Sequence, residues 1–115
     1  MSSAKLLKGT LQTIILKLLE DQDRMYGYEI TQRVRELSGG EFNLTEGALY
    51  PALHKLEAEG LLETSTELVD GRIRKYYSLS SQGKGEVKTK MNEAATFIEK
   101  LQLVLNLKPT VSCTH

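Results

Sequence analysis

At Gly60 the hydrophobic pattern of the chain changes period, and this constrains the fold more than any other feature. Before it, apolar residues recur at the three-and-four spacing of helices. After it come two short runs rich in Thr, Ile, Leu and Tyr that flank Asp70-Gly71. Asp-Gly suits a two-residue hairpin turn, because both central residues of such a turn take positive φ. Leu61–Leu68 and Ile73–Leu79 therefore read as paired strands, with Tyr76 and Tyr77 presenting one ring to each face.

Three helices precede the hairpin. Leu7, Leu11, Ile14 and Leu18, widened by Leu6, Ile15 and Leu19, predict a first helix over residues 4–20, followed by a polar turn at Asp21–Arg24. Ile30, Val34 and Leu37 mark a second over 26–38, which Gly39-Gly40 stops by accepting left-handed conformations. Thr45 is placed to cap a third over 46–59, which ends at Gly60 and in which Pro51 removes one intrahelical bond. Beyond the hairpin, Ser80 or Ser81 caps a final helix over 82–107, and Pro109 ends it before a frayed tail. The order is mainly α with a small β-hairpin, that of a winged helix-turn-helix plus a long C-terminal dimerisation helix. Residues 1–80 form the DNA-binding head, 81–108 the dimerisation helix and 109–115 the tail.

The dimer follows from the final helix. Val87, Met91, Ala94, Ile98, Leu101 and Leu105 are spaced by alternating steps of four and three, an a/d seam that Phe97 and Val104 widen. Such a helix is roughly 39 Å long at 1.5 Å per residue, more than a three-helix head can cover. The first helix of the same chain takes part of the seam. The half from Phe97 to Leu105 calls for a second copy, giving a homodimer whose heads, ~34 Å apart, meet two half-sites on double-stranded DNA.

Charge supports the same reading locally rather than globally. The chain has 15 basic and 15 acidic residues. Residues 42–70 hold six acids against Lys55, whereas residues 71–79 hold Arg72, Arg74 and Lys75 with no acid. At a hairpin tip those three cations can clamp phosphates, and they equally discourage strand-to-strand aggregation. Lys5 and Lys8 are additional phosphate contacts, and Tyr26 and Thr45, near helix starts, are candidate contacts to the DNA backbone. A helical wheel of the third helix turns Leu49, Leu53 and Leu56 inward and Gly47, Pro51, His54 and Ala58 outward, with Tyr50 and Lys55 on the flanks. Glycine and proline disfavour a helix interior by about 1 and about 3 kcal/mol, so two of them on one outward face point to close approach of another surface. Tyr50, His54 and Lys55 are the candidates for groove contacts, and Gly47 and Pro51 permit the approach.

Other chemistries are poorly served. An apolar content of 40% with 26% charged residues excludes a disordered chain and a membrane protein. The N-terminal apolar stretch is broken by Thr13, Lys17 and Glu20, and Cys113 is the single cysteine, so a cytoplasmic location is expected. His54 and Glu57 lack a second histidine, and Cys113 with His115 sits in the tail, so no metal and no cofactor are expected. With no nucleophile elbow, phosphate loop or dinucleotide fingerprint, the chain is read as not an enzyme.

The run Glu46-Gly47-Ala48-Leu49-Tyr50-Pro51-Ala52-Leu53-His54-Lys55-Leu56-Glu57-Ala58-Glu59-Gly60-Leu61 resembles the recognition helix and turn of the PadR family of bacterial transcriptional regulators. Tyr26-Gly27-Tyr28-Glu29-Ile30 resembles that family's second helix, and Gly71-Arg72, Arg74-Lys75-Tyr76-Tyr77 and Leu79 resemble its wing. Ser80 stands where the family commonly has threonine. The resemblance covers roughly residues 5–85 and implies a homodimeric repressor on a palindromic operator, relieved by a small, often aromatic effector. The chain has no tryptophan, so members that stack flat drugs on an interface tryptophan are poor guides to it. The alternative is a winged-helix protein–protein adaptor without DNA binding, motivated by Glu46, Glu57, Glu59 and Glu63. Glu46 and Glu57 fall on the flank of the third helix, which weakens that objection to DNA.

Overall fold

The computed structural model describes residues 7–107. Its elements run α1 (Leu11–Asp21), β1 (Met25–Tyr26), α2 (Gly27–Leu37), α3 (Glu46–Ala58), β2 (Leu62–Val69), β3 (Arg72–Leu79) and α4 (Ser81–Leu105). The strands form one antiparallel sheet in the order β1-β3-β2. The mainly helical architecture with a small sheet agrees with the sequence reading.

The first helix differs from its expected extent. Leu7 and Lys8 are helical, but the chain turns at Gly9 and Thr10 and restarts at Leu11. Thr10 caps the break, its hydroxyl donating to the Leu7 carbonyl at 3.1 Å. Leu7 is nevertheless buried with Leu11, so the apolar stripe continues across an interruption that periodicity does not register. The expected residues 4–6 lie outside the described residues, as does Pro109. Asn106, in the left-handed region at φ 57°, already ends α4.

The turn elements follow their local chemistry. Asp70 and Gly71 both take positive φ, 51° and 77°, and close the β2–β3 hairpin in the register Val69↔Arg72. Gly39 and Gly40, at φ 66° and 88°, stop the chain after α2. The Thr45 hydroxyl accepts the Ala48 N–H at 3.2 Å and caps α3. This helix is continuous through Pro51, which offers no N–H to the carbonyl of Gly47 four residues earlier.

The core lies where α1, α2, α3, the sheet and the start of α4 meet. Ile15, Ile30, Leu49 and Leu53 are fully buried at its centre, with Tyr77 the largest side chain among the buried ones. Burying each such leucine or isoleucine contributes roughly 1.5–3 kcal/mol. Ser80 joins three element ends: its hydroxyl accepts the Gly83 N–H at 2.9 Å and donates to the Gly60 carbonyl at 2.7 Å. Gly83 lies so close to this junction that a Cβ there would overlap the Leu61 carbonyl. From it α4 extends away from the head, and the molecule measures 52 Å along its long axis against 30 and 28 Å across.

Candidate nucleic-acid interface

Because β1 has only two residues, it pairs with Tyr76 and Tyr77 and leaves the rest of that β3 edge uncovered. A cleft of about 580 Å³ opens there between the hairpin and the helices. Arg72, Arg74 and Lys75 line it from the hairpin, and Tyr26, Gly27 and Tyr50 from the facing side. Asp70, in the turn, is the one carboxylate among its lining residues. Glu67 of β2 stands directly opposite Arg74 in the register, and its carboxylate is taken up by Arg24.

Aromatic rings fix two of the arginines. The Arg24 guanidinium lies 3.8 Å from the Tyr76 ring centroid and pairs with Glu67 at 2.7 Å. Arg74 lies 4.1 Å over the Tyr26 ring, and the two rings meet edge-on at 5.6 Å. Each such contact is worth roughly 0.5–1 kcal/mol at an exposed site, but together they restrict where long side chains can point. Arg24 spends its charge on Glu67. A hydrogen bond to Tyr76 raises the Arg74 pKa above its ordinary value, desolvation opposes this, and the fields of Tyr26, Tyr76 and Glu29 add to it. Lys75 lies 5.4 Å from the Tyr77 ring, whose hydroxyl has its pKa raised chiefly by burial, then by Tyr50 and Glu57.

The remaining candidates divide by position. Gly47, Pro51, His54 and Lys55 are exposed on α3, opposite its buried Leu49, Leu53 and Leu56. Tyr50 is half-buried: its hydroxyl lies against Gly27, and its ring centroid is 6.2 Å from that of His54. It therefore turns into the cleft rather than straight outward. Tyr26 belongs to the aromatic ladder, its N–H donating to Glu29 at 3.1 Å, and the Thr45 hydroxyl is engaged by Ala48. Lys8 is exposed but does not line the cleft, and Lys5 lies outside the described residues. Sequence reasoning did not single out Gly27, Val69 or Ile73, which the structure brings into the cleft. For Gly27 a signal was present, since a glycine opening a helix often marks a close approach.

The seam of α4 splits in two. Val87 is buried in the chain's own core, and so is not on offer to a partner. Met91 and Ala94 are half-buried and, with Ile14, Leu37 and Phe42, line an apolar groove of about 450 Å³. Phe97, Ile98, Leu101, Val104 and Leu105 are exposed, from 41% at Leu101 to 80% at Val104. Among the described residues, no helix is long and apolar enough to cross a membrane, and no cluster of His, Cys, Asp and Glu could hold a metal.

Comparison with known proteins places this geometry. The family described as the transcriptional regulator PadR-like family matches residues 15–89. A transcriptional regulator of Mycobacterium tuberculosis is 40% identical over 62 residues, 54% of this chain and 55% of its own. A PadR family transcription regulator from a hypervirulent Clostridium difficile, of known structure, is 35% identical, with a TM-score of 0.67 over 84% of this chain and 97% of that one. A transcriptional regulator from Clostridium thermocellum superposes with a TM-score of 0.74 at 29% identity, over 89% and 95% of the two chains. The matched segment runs from within α1 through α3 and the hairpin into α4 and so contains every element that builds the cleft: the chain belongs to the PadR-like family of DNA-binding transcriptional regulators, which are not enzymes.

Proposed function

We propose that the protein is a homodimeric repressor that sets α3 of each copy in a major groove and clamps the flanking phosphates with the hairpin. The observation that carries this reading is the convergence of Arg72, Arg74 and Lys75 with Tyr26 and Tyr50 on one cleft beside α3. His54 and Lys55, exposed on α3, are the base readers, with Gly47 and Pro51 allowing close approach. Tyr50 reads from the flank, and Thr45 meets the DNA backbone at the start of α3. Lys5 and Lys8 add phosphate contacts. Residues 1–80 act as the head and 81–108 as the dimerisation helix, joined to a second copy through Phe97, Ile98, Leu101, Val104 and Leu105, with Met91 and Ala94 at the margin. A two-fold dimer calls for a palindromic operator. The groove beside Met91 supports relief by a small aromatic effector, since a ligand there would press on α4 and alter the spacing of the heads. A cytoplasmic location accords with this role.

The test is selection from random duplexes by fluorescence anisotropy at two salt concentrations. A palindrome bound with a steep salt dependence is the expected result. No enrichment, with negligible binding at low salt, would overturn the reading in favour of a protein–protein adaptor.

A further inference from the structure

Two side chains at the hairpin tip have no role in a phosphate clamp. Leu68 and Ile73 are directly opposed in the register, one pair in from the turn pair Val69↔Arg72. Strand alternation puts them on the face that carries Tyr77, Leu62 and Leu79, which at the root of the hairpin is buried in the core. At the tip none of the described residues covers that face: Leu68 is 74% and Ile73 76% exposed, more than Tyr28 (60%) or Leu37 (63%) elsewhere in the head. Ile73 lines the cleft between Arg72 and Arg74. Lys75 shares this face while Arg72 and Arg74 alternate to the other, so the apolar pair lies on one side of a cationic ribbon and suits a surface that is anionic at its rims and apolar between them. Duplex DNA offers this in its minor groove, ~6 Å wide, where aliphatic side chains can enter between the phosphate walls.

We propose that Leu68 and Ile73 form an apolar wedge that enters the minor groove between the clamped phosphates and partly unstacks a base step. The inference rests on the DNA-binding reading above and adds to it a device for sequence preference, because pyrimidine–purine steps open at least cost. The test uses the full chain and a selected duplex carrying 2-aminopurine at successive steps across the half-site. The variants are Ile73→Thr and Leu68→Thr, which keep strand propensity while removing apolar bulk. Wild-type protein should raise 2-aminopurine emission at one step per half-site. Each variant should abolish that rise and weaken binding about tenfold with the salt slope unchanged. Variants that bind and unstack like wild type would overturn the wedge. So would a loss of affinity accompanied by a flatter salt slope, which would mean that the cations had been displaced. A change of oligomeric state with DNA binding intact would assign the tip to a second copy instead. If the wild-type chain binds no duplex, the DNA-binding reading fails first and the wedge with it.

Discussion

The hydroxyl of Tyr50 lies over the backbone of Gly27 so closely that a Cβ on Gly27 would fall on it, with Cζ of the same ring 2.9 Å away. The first residue of α2 and the fifth of α3 are thus fitted to each other, and the fit holds a tyrosine on the wall of the cleft. Gly27→Ala should therefore cost about 1–2 kcal/mol by overpacking, despite the better helix propensity of alanine. In a Tyr50→Leu background the same change should cost much less. Chemical denaturation of the four proteins in a double-mutant cycle measures the difference, and equal costs would show that the two residues are not coupled.

Gly83 is more constrained, because a Cβ there would meet the backbone carbonyl of Leu61 and, at 3.3 Å, Cδ2 of Leu79. A backbone cannot swing aside as a side chain can. Gly83→Ala should destabilise the head by roughly 2–3 kcal/mol and lower Tm by about 10 °C, as read by calorimetry. Gly85, whose Cβ would meet nothing, is the control: Gly85→Ala should be neutral or slightly stabilising.

Arg74 and Arg24 both lie over tyrosines, yet only Arg24 has a carboxylate partner in Glu67. Arg74→Ala should weaken binding to all duplex sequences and lower the salt slope by about 1. Arg24→Ala should leave the salt slope unchanged and act only through hairpin stability. Anisotropy titrations across a salt series separate the two.

Leu101 and Ile98 are exposed on α4 beyond the core, so charging them costs the head nothing directly. Leu101→Lys should raise the dimer dissociation constant at least tenfold, seen by sedimentation velocity, while circular dichroism shows the head still folded. Unchanged sedimentation would exclude distal α4 as the interface.

Much of this architecture was legible because local chemistry decided it. Asp70-Gly71, Gly39-Gly40 and Thr45 mark their turns and cap by backbone requirements that act within a few residues. The leucine spacing of α3 reports one buried face whatever packs against it. Two elements escaped for the opposite reason. β1 is two residues long, too short to show a period of two, and it exists because Tyr76 and Tyr77 of β3 offer Met25 and Tyr26 an antiparallel partner. The break at Thr10 is hidden because Leu7 and Leu11 are buried on either side of it. The site was half legible: the cations and the outward face of α3 stand out in the sequence. The stacking of Arg24 and Arg74 on tyrosines depends on strand register, and so did not show.

Ser80 gives the molecule a mechanical property. Its hydroxyl fastens the end of α3 at Gly60 to the start of α4 at Gly83, so the two helices share one pivot. Beyond Val87, which the core holds, α4 runs on to Leu105 as a lever arm ~27 Å long, and a tilt of about 5° at its base swings the far end through about 2 Å. The lever works in reverse as well. A displacement imposed on the Leu105 end reaches α3 as a rotation reduced by the length of the arm, turning coarse movement far from the cleft into fine adjustment beside it.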